Sequence, residues 1–324
     1  MKKTIISALR LTLGMGLTLF ISCTEDLGDS RKDISASSDN LAFSISTENI
    51  ENARNRTVAT RGGQANTASL DAGFGVSCSA YPAAGSYTSY GHGSYFYKVM
   101  AVPNIPTAYY WPTADYKVSF FAYYPYGNTA FTVQSPASAP GTPTYAYTVP
   151  SDIESQVDIM TAERTDIPCS THTTVALSFA HRCTDIRFTA YNQQSDALTV
   201  KSIAIYGVRY SGTYTSGASW TLSGSVNSST SHPFLLSLNT AVASKATVDL
   251  TGTSNHFIML PQTVASGTDF LVIKTQEDGE ERTYTYTLDA DYELVMGKSV
   301  TFQLILGNGT LTINPVSVVD WQAQ

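Results

Sequence analysis

The chain is short of charge. Asp, Glu, Lys and Arg make up only 14% of its 324 residues, against the quarter or so usual for a soluble domain. Nineteen basic and 26 acidic residues leave a net charge of −7. With no basic block, the chain lacks the electrostatic footprint of a nucleic-acid binder. Cysteine is scarce, at Cys23, Cys78, Cys169 and Cys183. None forms a Cys-x-x-Cys pair, and none of the five histidines (His92, His172, His181, His232, His256) belongs to an HExxH motif, so no zinc signature and no cofactor motif is present. A GxSxG elbow and a phosphate-cradling glycine loop are also missing. The acidic residues are dispersed, although a glycosidase pair that converges only in space would leave no mark in the spacing. Helical periodicity of useful length is absent after the first two dozen residues. The uncharged run "LTLGMGLTLFI", residues 11–21, is well short of the roughly 20 apolar residues of a membrane span.

What is present begins at that run. Lys2, Lys3 and Arg10 precede it, and Ser22-Cys23 closes it. A basic start, a short apolar stretch and a small-residue stop describe a secretory signal over residues 1–22. A small residue directly before Cys23 resembles the lipobox of bacterial lipoproteins, with Phe20 where that pattern prefers leucine. The resemblance implies that Cys23 is acylated as the first mature residue and holds the protein on a bilayer. Thr24, Glu25 and Asp26 follow, similar to the surface-export signal of lipoproteins in the Bacteroides group. Residues 23–39 are polar and read as a flexible tether.

About 300 residues then remain, enough for two domains of ordinary size, and 43% hydrophobic residues supply the cores. Short runs of β-branched and aromatic residues, punctuated by Gly, Pro and Asn, predict an all-β fold of two sandwiches, at residues 40–165 and 166–324. In "NLAFSIST", residues 40–47, Leu41, Phe43 and Ile45 alternate with small and polar residues as in a half-buried strand. A polar loop over residues 48–69 carries Arg54, Arg56 and Arg61. A structureless connection of that length tends to be functional or disordered. Further strands are expected at 74–81, 94–100, 116–125 and 144–150. Residues 158–173 read as a short strand and a linker. Strands of the second domain are expected at 174–180, 185–191, 200–208, 219–224, 255–261, 269–276, 282–288, 298–307 and 310–321. "EDGE" (277–280) and "GNGT" (307–310) are hairpin turns.

Export permits a Cys169–Cys183 disulfide. If "TVALSFA" and "DIRFTAY" form a hairpin, however, the two cysteines stand at opposite ends of it, about 20 Å apart. A disulfide needs Cα atoms within about 7 Å, so free, mostly buried thiols are expected. Eleven of the 20 tyrosines lie between Tyr81 and Tyr126. Tyr109, Tyr110 and Trp111 are consecutive and cannot all face one core. This aromatic stretch is either strand packing or a surface that stacks on a glycan or host ligand. His181 reads as a hydrogen-bonded residue of the hairpin.

The order of the pieces carries a resemblance. A lipoprotein start, one strand and an arginine loop with "TR" in it are followed by "YKVSFFAYYPY" (116–126), "DIMTA" (158–162), "VALSFAHRCTDIRF" (175–188), "GKSVTFQLIL" (297–306) and "VSVVDW" (316–321). Together they resemble the fimbrillin-like proteins of Bacteroides-type bacteria, subunits and accessory proteins of type V pili, over nearly the whole chain. The resemblance implies two transthyretin-like sandwiches and no catalysis. It implies a lipidated precursor at the outer membrane, cleavage after an arginine of the loop, loss of the first strand with Leu41, Phe43 and Ile45, and its replacement by a strand of another pilus subunit. Arg61, in "VATRGG", matches the cleavage site best, with Arg54 and Arg56 as alternatives. At the other end Leu311, Ile313, Val319 and Trp321 fall on one strand face. That stretch is either a donor strand or the last strand of its own domain, paired with 298–307. The turn at 307–310 favours the second, and with it a tip or accessory subunit that accepts a strand without giving one. The competing readings are a lipid-anchored surface protein that never polymerises and binds glycan or host ligand through its tyrosines, and a hydrolase on a β-sandwich.

Overall fold

A computed structural model describes residues 36–40, 43–47, 70, 73–86, 96–102, 110–134, 142–171, 174–307 and 309–321. The regular structure of the described residues is nearly all β, with short 3-10 turns at Ile153–Ser155 and Cys169–Thr171. The signal segment, Cys23, Leu41 and the loop with Arg54, Arg56 and Arg61 lie outside the described residues.

The first unit is a six-stranded sheet in the order Phe43–Thr47, Val175–His181, Met160–Pro168, Tyr116–Tyr124, Phe74–Pro82, Phe96–Val102. The inner strands Phe74–Pro82 and Tyr116–Tyr124 are buried on both faces. One face carries Phe74, Val76, Cys78, Ala80, Val118, Phe120 and Ala122 into an apolar core completed by Leu70, Trp111, Val175, Leu177 and Phe179. The other face carries Ser77, Ser79 and Ser119. Their burial is tolerable because small hydroxyls find partners; Tyr81 Oη lies 2.5 Å from Ser119 Oγ and donates to Asp166 at 2.8 Å. Residues 158–173, expected to be a short strand and linker, instead hold the nine-residue strand Met160–Pro168.

The second unit packs a five-stranded sheet against a four-stranded one. In the first of these, Thr247–Asp249, Thr184–Asn192, Lys298–Gly307 and Thr310–Asp320 run in order, with Phe257–Met259 also paired to Thr184–Asn192. The other runs Phe234–Val242, Leu198–Ile205, Asp269–Glu277, Glu280–Thr287. Burial alternates along Thr184–Asn192 and Asp269–Glu277, the period-2 signature of a strand with one face inward. Ile186, Phe188, Phe302 and Leu304 share one buried cluster with Val200, Ile203, Leu271 and Ile273. The expected turns are present. Asp278 and Gly279 both take positive φ, 50° and 85°, beneath the Glu277↔Glu280 pair, as a primed hairpin turn requires.

The expected boundary at 165/166 does not coincide with a break in the sheets. Val175–His181 completes the first sheet. Conversely, Phe131–Gln134 and Thr144–Thr148 join Arg209–Thr215 and Trp220–Val226 in a further four-stranded sheet. Their Phe131, Tyr145 and Tyr147, with Ile153 and Ile159, belong to the core of the second unit. The chain thus leaves the first unit after Tyr124, returns at Met160, and leaves again after His181. This also removes the premise of the cysteine argument: Val175–His181 and Thr184–Asn192 are consecutive but lie in different sheets. Its conclusion agrees with the structure, in which Cys169 and Cys183 are buried and not joined to each other.

Candidate site at the leading strand

The strand Phe43–Thr47 stands at the edge of the first sheet and runs parallel to Val175–His181, in register from Phe43↔Val175 through Ile45↔Leu177 to Thr47↔Phe179. Its sequence, with β-branched Ile45 and Thr47, has ordinary strand propensity. Phe43 is half-buried, with its ring edge-on to Phe120 at 5.3 Å and to Phe74 at 6.5 Å. Phe74 in turn meets Phe179 at 5.0 Å, and Phe120 meets Trp111 at 6.2 Å. Phe43 is therefore the outermost member of an aromatic chain that runs through the core. Edge-on rings at these separations are favourable beyond the area they bury.

A second contact was not foreseen. Ala36–Asn40, which runs from the end of the expected tether into the first residue of the expected strand, forms an antiparallel pair with Tyr110–Pro112. The sequence "ASSDN" has almost no strand propensity, so only the pairing reveals it. The leading segment thus holds two edges, that of Val175–Phe179 and that of Tyr110–Pro112. Trp111, the middle residue of the second edge, is fully buried and meets Phe120 in the aromatic chain.

The other end of the chain is locked in its own sheet. Thr310–Asp320 pairs antiparallel with Lys298–Gly307, in register from Gly307↔Thr310 to Lys298↔Asp320. Ile313 is buried and Leu311 half-buried, whereas Val319 is 53% exposed. The strand is bulged, Thr301 pairing with Ser317 but Phe302 with Pro315, and at this end of the edge strand Val318 and Val319 are both exposed. One extra residue breaks the alternation that placed Val319 with Leu311 and Ile313. Beyond the strand, Trp321 is 1% exposed and lies flat against His181, ring centres 4.5 Å apart at 8°. Its backbone N–H donates to Gly297 O at 2.9 Å. His181 is fixed in turn by Asp158, whose carboxylate oxygens stand 2.9 and 3.0 Å from Nδ1. His181 is hydrogen-bonded as expected, at a crossover between sheets rather than in a hairpin.

Nothing in this arrangement is set for nucleophilic chemistry. Burial pushes the Cys169 thiol up to about 12 and raises that of Cys183 further, which removes the reactive thiolate. Asp185 is a fully buried carboxylate of the second unit, partnered by His256, Arg187 and Ser299. Burial pushes it up, but the hydrogen bond and charge of His256, then Arg187 and Ser299, outweigh this and hold it below the ordinary carboxylate value. Cys169, Cys183, Asp185 and His256 are all fully buried. Among the described residues no three His, Cys, Asp or Glu converge as metal ligands would.

The arrangement defines an all-β protein of stacked sheets, with an N-terminal edge strand docked beside an aromatic core and a C-terminal strand paired within its own sheet. The comparisons with known proteins narrow this. The model of the Fimbrillin-like family matches residues 43–321, and the chain belongs to that family. Its fold is similar to that of a fimbrial protein from Bacteroides vulgatus, with 17% identity, 88% of this chain and 100% of that one covered, and a TM-score of 0.57. It is also similar to a candidate cell adhesion protein from Bacteroides ovatus, at 13% identity, 90% and 99% coverage and a TM-score of 0.51. No curated protein matches the sequence.

Proposed function

We propose that the chain is a structural or adhesive component of a surface pilus, without catalytic activity. In this reading it is exported as a lipoprotein on Cys23, cut after Arg61 (or Arg54 or Arg56), and assembled by accepting a strand from another subunit. The observation that carries the proposal is the position of Phe43–Thr47. It is an edge strand, it directly precedes the arginine loop, and its one described side chain plugs an aromatic core. Loss of the segment would uncover backbone N–H and C=O groups along Val175–Phe179 and an apolar slot beside Phe74 and Phe120. Both are unfavourable in water and both are restored by an added strand. A contact of this kind is heterologous and builds a filament. The sealed Thr310–Asp320 strand, with Trp321 anchored on His181, supports a subunit that receives a strand without donating its own, as at a tip or in an accessory position.

The test is the N-terminus and intact mass of the protein from the cell surface. A chain that starts at Gly62 without lipid supports maturation and strand acceptance. A chain that retains acylated Cys23 and residues 36–47 in the presence of an arginine-specific protease refutes them. That outcome would leave the second reading, a lipid-anchored protein that binds glycan through its tyrosines, which draws on the half-exposed Tyr126.

A further inference from the structure

The turn that leads out of the first unit forms an open hollow of about 450 Å³, lined by Tyr123, Pro125, Tyr126, Gly127, Asn128, Thr129, Phe131, Thr132 and Val133. Its volume lies in the range, roughly 300–1,000 Å³, of small-ligand sites. The walls are aromatic and held rigidly. Tyr123 is the hub, with ring centres 6.2 Å from Tyr126, 5.9 Å from Phe131 and 5.8 Å from Tyr145. Phe131 stacks on Tyr145 at 5.5 Å and 4°, and Tyr145 on Tyr214 at 6.1 Å. The stack therefore continues into the core of the second unit.

The seat of the hub is a glycine inside a strand. Gly75 lies opposite Tyr123 in the sheet, and a Cβ there would stand 2.1 Å from Tyr123 Cζ. Glycine in a strand interior weakens it and marks a close approach; here it lets the Tyr123 ring lie over the backbone.

Against this buried back wall, Tyr126 is 49% exposed while Tyr123 and Phe131 are 5% and 6% exposed. A rigidly framed ring with one side open to water is a stacking platform. The polar groups around it are short and neutral. Asn128 Oδ1 accepts the Ala130 N–H at 2.9 Å, which orients the side chain and leaves its amide N–H groups as donors. Thr129 and Thr132 add hydroxyls. No lining residue carries a charge.

We infer that this hollow is a binding site for neutral carbohydrate chains, with Tyr126 as the stacking residue and Asn128, Thr129 and Thr132 as hydrogen-bonding partners of sugar hydroxyls. A pyranose has the matching surface, with a C–H face that packs on an aromatic ring and a rim of hydroxyls that both donate and accept. An anionic glycan would find no cation here, and an acyl chain could not be enclosed in so open a site. The inference supplies a site and ligand class for the adhesive role, and it is independent of cleavage at the arginine loop.

The experiment is saturation-transfer NMR and calorimetry on the full mature-length chain with maltohexaose, mannohexaose and lacto-N-tetraose as neutral probes. A sialylated trisaccharide and a heparin hexasaccharide serve as charged ones. Saturable binding of a neutral probe is expected, weakened about tenfold or more in Tyr126→Ala and kept in Tyr126→Phe. The melting temperature of both variants should stay within a degree or two of the parent, since an exposed side chain is removed. Absence of binding to every neutral probe at millimolar concentration, a preference for the charged probes, or binding indifferent to Tyr126→Ala would each overturn the inference.

Discussion

If the leading strand is held chiefly by Phe43, Phe43→Ala should loosen that strand alone. Full burial of a phenylalanine is worth about 1.5–3 kcal/mol, and Phe43 is half-buried, so the area term is roughly 1 kcal/mol. The two edge-on contacts, to Phe120 at 5.3 Å and Phe74 at 6.5 Å, add about 0.5 kcal/mol each at the low end for such pairs. The sum is about 2 kcal/mol, or roughly a thirtyfold shift in the equilibrium between docked and undocked strand. Native-state hydrogen exchange reads this directly. Amides of Val175–Phe179 that point toward the leading strand should exchange about thirty times faster in the variant, while amides of Thr184–Asn192 and Lys298–Gly307 stay unchanged, because local opening and global unfolding are separate events. Cleavage of the loop by an arginine-specific protease should leave the same signature in the parent. Unchanged exchange at Val175–Phe179, or an equal rise in both units, would refute the idea that this strand is a separable plug.

Other outcomes follow from the same structure. Trp321→Ala removes a fully buried indole from the His181 stack and should cost about 3–5 kcal/mol by urea unfolding; a loss below about 1 kcal/mol would mean that the C-terminal strand is not anchored there. Gly75→Ala should destabilise by about 1–3 kcal/mol, because the new Cβ collides with the Tyr123 ring, and should lower neutral-glycan affinity without touching the ligand. Asp185, held below its ordinary value in the folded chain, contributes stability that is fully present above the unfolded carboxylate value of about 3.9 and is lost as pH falls through its folded value. Urea unfolding at pH 7 and pH 3 should show this fall, and Asp185→Asn should flatten it.

The strands that announced themselves are those whose two faces differ. Thr184–Asn192, Asp269–Glu277 and Lys298–Gly307 alternate, and their limits were readable to within a residue or so. Turns with Gly at a position of positive φ were equally plain. Met160–Pro168 was half-missed because only Met160, Thr161 and Ala162 are buried and the rest, "ERTDIP", is polar and exposed or half-exposed. Phe131–Gln134, Arg209–Thr215 and Phe234–Val242 were overlooked among Ser, Thr and Gly that read as loop. Sheet order was legible only across the two hairpin turns at 277–280 and 307–310; elsewhere alternation tells a residue which way to face and says nothing of which strand lies beside it. The strand Phe43–Thr47 was legible, but the pairing of Ala36–Asn40 with Tyr110–Pro112 exists only in three dimensions. Period counting also could not show that Val318 and Val319 are both exposed, because they lie at the end of a bulged edge strand that is uncovered on either face.

The excursion of residues 125–159 has a mechanical side. The chain passes between the two units three times, and Thr144–Thr148 is laced into the second unit along Arg209–Thr215, from Ser211↔Thr148 to Thr215↔Thr144. Arg182 Nε donates to Thr161 Oγ1 at 2.7 Å, and the Trp220 indole N–H donates to Arg182 O, which ties the crossover on both sides. Tension applied across such a molecule is not carried by a single hinge. It falls on a whole ladder of backbone bonds loaded together, and those resist far more than bonds opened one at a time. The two units would yield to drag as one stitched body rather than as two beads on a string.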